Sequence, residues 1–108
     1  MSNYRNRLDI IADMLGVISE NERAKKTQIM YRANLSYKLL TKYLNHVLVA
    51  CLVRSERKRR CYVLTSKGEE FLEIYRNYLR HHKFVEKKLQ EVNFKRKTLE
   101  DLLELKGV

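Results

Sequence analysis

The chain has 108 residues, 44% of them apolar and 33% charged, with a formal net charge of +10. That composition suits one domain with a modest core and excludes compositional disorder. No run approaches the roughly 18 apolar residues of a membrane span, and Met1 to Arg5 lack a signal-like apolar stretch, so a soluble, intracellular protein without a membrane partner is expected.

Leu8, Ile11, Ala12, Leu15 and Ile18 recur at three- and four-residue spacing, which predicts an amphipathic helix over residues 5 to 20. The polar run Asn-Glu-Arg-Ala-Lys-Lys at 21 to 26 reads as a loop. Thr27 has the hydroxyl of an N-cap, and a short helix follows to about Ala33. In Asn34-Leu35-Ser36, Asn tolerates left-handed geometry, Leu can plug a core and Ser can cap the next helix, which is a helix-turn-helix joint.

From Tyr37 onward Leu40, Leu44, Val47 and Leu48 form one apolar stripe, with Lys38, Thr41, Lys42 and Asn45 opposite. Leu52-Val53 and Cys61-Tyr62-Val63-Leu64 are β-favouring runs around a charged segment, predicting a hairpin with a long tip. That tip, Arg54-Ser55-Glu56-Arg57-Lys58-Arg59-Arg60, carries five cations in seven residues, and folding alone does not require them. Thr65-Ser66-Lys67-Gly68-Glu69-Glu70 then has the capping residues and acids of a helix start.

No Pro or Gly follows until Gly107, so one helix of about 38 residues is predicted. With Phe71 at a heptad d position, Tyr75, His82, Leu89, Arg96 and Leu103 fall at a, and Tyr78, Val85, Val92 and Leu99 at d. Leu72, Ile74 and Leu79 widen the stripe near its start, as expected where the helix also packs on its own domain. At about 1.5 Å per residue such a helix outruns a core of this size, so its far half is expected to meet another chain. Antiparallel pairing is preferred because it keeps two basic domains apart.

The fold class predicted is mainly α with a small β-hairpin, a winged helix-turn-helix over residues 1–66 followed by a dimeric coiled-coil helix over 67–108. The charge is uneven: residues 1 to 65 hold 13 Lys and Arg against 5 Asp and Glu, whereas residues 66 to 108 hold 10 against 8. A polyanion is therefore expected on the first part. Ser36, Tyr37, Lys38, Thr41, Lys42 and Asn45 would form a recognition helix reaching phosphates or base edges, although Tyr37 could instead pack against the turn. Arg54, Arg57, Lys58, Arg59 and Arg60 would grip phosphates or a narrow minor groove from the wing. Arg5, Arg7, Arg23, Lys25 and Lys26 extend that footprint. His46 falls near the end of the recognition helix, where a cation suits the dipole.

Catalysis finds no support: His46, His81 and His82 have no nucleophile-and-base arrangement, and neither a Gly-rich phosphate loop nor an acidic metal cluster is present in the sequence. Cys51 and Cys61 are too few for a zinc site; flanking the hairpin, they could face each other across it or sit as small buried thiols. No enzyme activity, cofactor, metal or small-molecule substrate is expected. The rival function is a coiled-coil scaffold whose basic domain meets RNA or acidic proteins.

Lys26-Thr27-Gln28-Ile29-Met30-Tyr31-Arg32-Ala33-Asn34-Leu35-Ser36, Tyr43-Leu44 and Tyr62-Val63-Leu64-Thr65-Ser66-Lys67-Gly68 resemble the archaeal 10a-type DNA-binding proteins of Sulfolobus over nearly the whole chain. The resemblance implies a small, abundant basic protein of the cytoplasm, associated with the nucleoid. It implies binding to double-stranded DNA as a homodimer through an antiparallel coiled coil of the last helices, with a role in chromosome organisation or transcription. One departure is Cys51, where that family usually has Gly to end the recognition helix. A second is the length of the heptad-bearing tail.

Overall fold

The computed structural model describes residues 5–104; residues 1–4 and 105–108, Gly107 among them, lie outside the described residues. Helix α1 spans Arg7–Glu20. The Asn6 side chain accepts from the Asp9 N–H at 2.9 Å while the Asp9 carboxylate accepts from the Asn6 N–H at 3.1 Å, a reciprocal cap that fixes the helix start. Ile10, Ile11, Met14, Leu15 and Ile18 are buried, so α1 is the central rod of the core. Leu8, assigned to the same apolar face, is instead 43% exposed, because it lies in the first turn, two residues after the Asn6 cap, at the edge of the core.

Helix α2 spans Lys26–Arg32 and starts two residues earlier than an N-cap at Thr27 predicts. Lys25 is its N-cap residue, and the Gln28 side chain accepts from the Lys25 N–H at 3.0 Å, which leaves Thr27 exposed in the first turn. Asn34 takes the left-handed conformation at φ 54°. Its N–H bonds the Tyr31 carbonyl and that of Leu35 bonds Met30, closing the helix with Leu35 buried. Ser36 then accepts from the Leu39 N–H at 3.2 Å and starts α3, Tyr37–Val49. Leu40, Tyr43, Leu44 and Val47 are its buried face.

Helix α3 ends by the same device one element later. Cys51 is left-handed at φ 62°, its N–H bonds the Leu48 carbonyl, and the Leu52 N–H bonds Val47. Strand β1, Val53–Glu56, pairs antiparallel with β2, Cys61–Leu64, in the register Val53 opposite Leu64 and Glu56 opposite Cys61. The hairpin is therefore longer than Leu52-Val53 predicts, and its loop shrinks to residues 57–60. Backbone pairing carries Arg54, Ser55 and Glu56 into the sheet regardless of their weak strand preference. Cys51 precedes β1 and is exposed, whereas Cys61 is buried opposite Glu56, so the two free thiols do not face each other.

The run 21 to 26 is not merely a polar loop. Ala24 is buried and exchanges two backbone hydrogen bonds with Tyr62, at 3.0 and 2.8 Å, adding a single rung to the other edge of β2. That rung ties the start of the helix-turn-helix to the hairpin.

Helix α4 spans Ser66–Leu103. The Thr65 hydroxyl accepts from the Gly68 N–H at 3.0 Å and donates to the Cys51 carbonyl at 2.6 Å. The first compact unit runs to Tyr75 and the second begins at Arg76. In the first, Gly68 and Leu72 are buried, Phe71 and Tyr75 pack partly against the core, and the Tyr75 hydroxyl donates to Asp9 at 2.5 Å. Phe71 and Tyr75, the first two seam positions, thus have contacts within their own domain. Ile74 does not widen the domain-facing stripe: it is 60% exposed, since that stripe runs through Gly68, Leu72 and Tyr75. In the second unit Tyr78, Val85, Leu89, Val92, Leu99 and Leu103 are all exposed, and His82 Nδ1 lies 3.5 Å from Glu86. No helix among the described residues is long and apolar enough to cross a membrane.

Candidate nucleic-acid interface

Helix α3 presents Lys38, Thr41, Lys42 and Asn45 on its exposed face, directly opposite the buried stripe. Their roles differ. Thr41 donates its hydroxyl to the Tyr37 carbonyl, and Ser36 is occupied by its cap, which leaves Lys38, Lys42 and Asn45 as the groups on this face with donors directed to solvent. Lys42 Nζ sits 5.2 Å from the Tyr43 ring centroid, so its stem is steered by an aromatic face. Tyr37 does not pack into the turn: the residue is 64% exposed, with Lys26 Nζ 5.5 Å from the ring centroid.

The wing loop places Arg57, Lys58, Arg59 and Arg60 in solvent, with Arg60 left-handed at φ 50°. Arg54 is exposed on β1. Because the Ala24 rung draws residues 23 to 25 to the hairpin, Arg59 shares one cleft with Arg23, Lys25 and Gln28. Arg23 is held there by Glu56 at 3.2 Å. Between Arg23 and Arg60 there are eleven Lys and Arg and a single acid, Glu56, which this pair already engages. The surface built by α2, α3 and the wing is therefore cationic almost without interruption.

Arg5 and Arg7 have other neighbours. Arg5 bonds Asp13 at 2.7 Å and donates to the Ala33 and Asn34 carbonyls at 2.7 and 2.8 Å, clamping the end of α2 onto α1. Arg7 lines a second groove with Leu8, His46, Ala50, Lys67 and Phe71. Lys67 donates to the Ala50 carbonyl at 2.7 Å, a cation at the C-terminal end of α3 that sequence reading passed over. His46, in the last turn of α3, meets Tyr43 edge-on with ring centroids 5.5 Å apart. Sequence reading also missed Val49, 75% exposed beside Lys42 and Asn45, and Tyr31, exposed on α2. An apolar residue left bare on a polar helix face was the available signal for Val49. Among the described residues no group of His, Cys, Asp and Glu could hold a metal ion.

A helix-turn-helix closed by a basic hairpin defines a class, and the chain belongs to it: the winged helix-turn-helix family model matches residues 4–83. More particularly, over 69 residues, 64% of its length, the chain is 38% identical to an uncharacterized protein of Methanocaldococcus jannaschii, and it spans about a third of that relative, 31%. Its fold is similar to that of Sso10a-2, a DNA-binding protein from Sulfolobus solfataricus, with TM-score 0.64, 18% identity, and coverage of 94% of this chain and 99% of that one. The 10a-type resemblance carried by residues 26 to 36, 43 to 44 and 62 to 68 is thus met at the level of the fold.

Proposed function

We propose that the protein binds double-stranded DNA as a homodimer, without enzymatic activity. The observation that carries this reading is the cationic surface from Arg23 to Arg60, with its single acid already paired. A helix is about as wide as the major groove, so Lys38, Lys42 and Asn45 reach phosphates and base edges when α3 lies in it. The wing cations Arg54, Arg57, Lys58, Arg59 and Arg60, with Arg23, Lys25 and Lys26, then meet the flanking backbone. The structural likeness to a DNA-binding protein supports the same partner. The exposed seam from Tyr78 to Leu103 supports self-association through α4. Antiparallel pairing is preferred because parallel, in-register chains would stack Arg96 on Arg96 at an a position. Acting on chromosomal DNA, such a dimer belongs to the nucleoid, in chromosome organisation or transcription control.

The test is affinity as a function of salt. If about six to eight phosphates are neutralised per dimer, log K falls against log salt with a slope of about −6. A slope near zero removes the electrostatic reading. Competition among duplex DNA, RNA and heparin separates it from an RNA-binding or acidic-protein scaffold, which would prefer a competitor other than duplex. Genome-wide occupancy then distinguishes a regulator, with few sharp peaks, from a coating protein with a continuous signal.

A further inference from the structure

The groove around Arg7 and Lys67 lies on the side of the first unit where α4 begins its seam. Lys67 and Phe71 are one turn apart on α4 and both line it, and Phe71 is also the first d position. Leu8, Ile11, Val47 and Leu52 supply apolar walls, and Arg7 and Lys67 make its cations. At the other end of α4 the chemistry is complementary. Glu100, Asp101 and Glu104 surround Leu102 and Leu103, which are 75% and 79% exposed. Acids in a last helical turn oppose the helix dipole, and the last turn of α4 contains no base to offset them. An external cation would resolve that conflict.

Antiparallel seams set a positions against d positions. One register satisfies this along the whole of α4: Phe71 against Leu103, Tyr75 against Leu99, Tyr78 against Arg96, His82 against Val92 and Val85 against Leu89. It gives Arg96 an aromatic partner rather than another Arg. It also brings Ile74 beside Leu102, two exposed apolar residues that the a and d seam leaves unexplained.

We propose that the last turn of α4 from a second copy, Leu102 and Leu103 with Asp101 and Glu104, docks in the groove of Arg7, Leu8, Lys67 and Phe71. This rests on the dimer reading above and adds a second interface to it. Because His46, Val47 and Ala50 of α3 also line the groove, docking braces the recognition helix of one protomer with the tail of the other. Dimerisation and the placement of α3 are then one event.

Two measurements test this on the full chain. In a Cys51→Ala background, Leu8→Cys protein is mixed with Leu103→Cys protein and treated with a short bismaleimide, with Glu20→Cys, exposed at the far end of α1, replacing Leu8→Cys as control. The expected result is a dimer by sedimentation with a Leu8–Leu103 cross-link well above the control. A dimer that links Leu103 only to Leu103 overturns the docking while leaving the dimer intact; a monomer overturns both. Separately, Asp101→Lys with Glu104→Lys should raise the dimer dissociation constant about tenfold, and adding Arg7→Glu should restore much of it. No recovery overturns the pairing.

Discussion

Cys51 occupies the left-handed position that ends α3, where a Cβ is crowded by the following carbonyl at a cost of about 1 kcal/mol. The turn forms regardless because the Leu52 N–H bonds Val47 and the Thr65 hydroxyl fastens the Cys51 carbonyl. Cys51→Gly is therefore expected to stabilise the first unit by up to about 1 kcal/mol, raising Tm by roughly 4 °C in thermal unfolding. Cys51→Ala, which keeps the Cβ, should give no such rise. Gly68 is the opposite case. A Cβ there meets the Leu52 carbonyl, and that oxygen cannot yield, since it already accepts from the Thr65 N–H at 3.1 Å. Gly68→Ala should cost about 2 kcal/mol, despite the better helix propensity of Ala, and denaturant unfolding will show it as a lower midpoint.

The wing is the element whose chemistry and folding separate most cleanly. Arg57, Lys58, Arg59 and Arg60 are exposed in the loop, so replacing all four by Ala should leave thermal unfolding within about 0.5 kcal/mol of the original. Affinity should fall alike for every duplex, with the salt slope shallower by about 0.9 for each phosphate that is no longer neutralised. Weakening confined to one sequence would mean that the loop reads bases. This loop was legible in the sequence because four consecutive cations need a partner, as were α1, α3 and α4, each of which repeats apolar residues at helical spacing. The bridge at Ala24 was not legible: one small apolar residue inside a polar run has no period. Nor were the Arg5 clamp and the Lys67 bond to Ala50, which join residues far apart in the chain through carbonyls that every residue carries. The strand through Arg54 and Glu56 follows from pairing with Cys61 to Leu64, not from its own residues.

At the scale of the molecule, valence decides what the two kinds of surface accomplish together. A single winged-helix unit holds only a few phosphates, and a second unit tethered to it binds at high effective concentration, so affinity multiplies without any new type of interaction. In the proposed dimer, Leu89 is the place to break the tether. It is an exposed a position near the middle of α4, more than a dozen residues beyond the last residue of the first compact unit, so a charge there should not disturb the core. Leu89→Asp in a coiled-coil dimer buries an unpaired carboxylate in each of two symmetric layers, against Val85 of the partner in the antiparallel register. Sedimentation equilibrium should then report a monomer whose winged-helix unit retains its cooperative melting. The salt slope for duplex binding should fall to about half, near −3, because each binding event now neutralises one unit's phosphates. A monomer with an unchanged slope would mean that one winged helix engages all the phosphates and that α4 serves some purpose other than joining two DNA-binding surfaces.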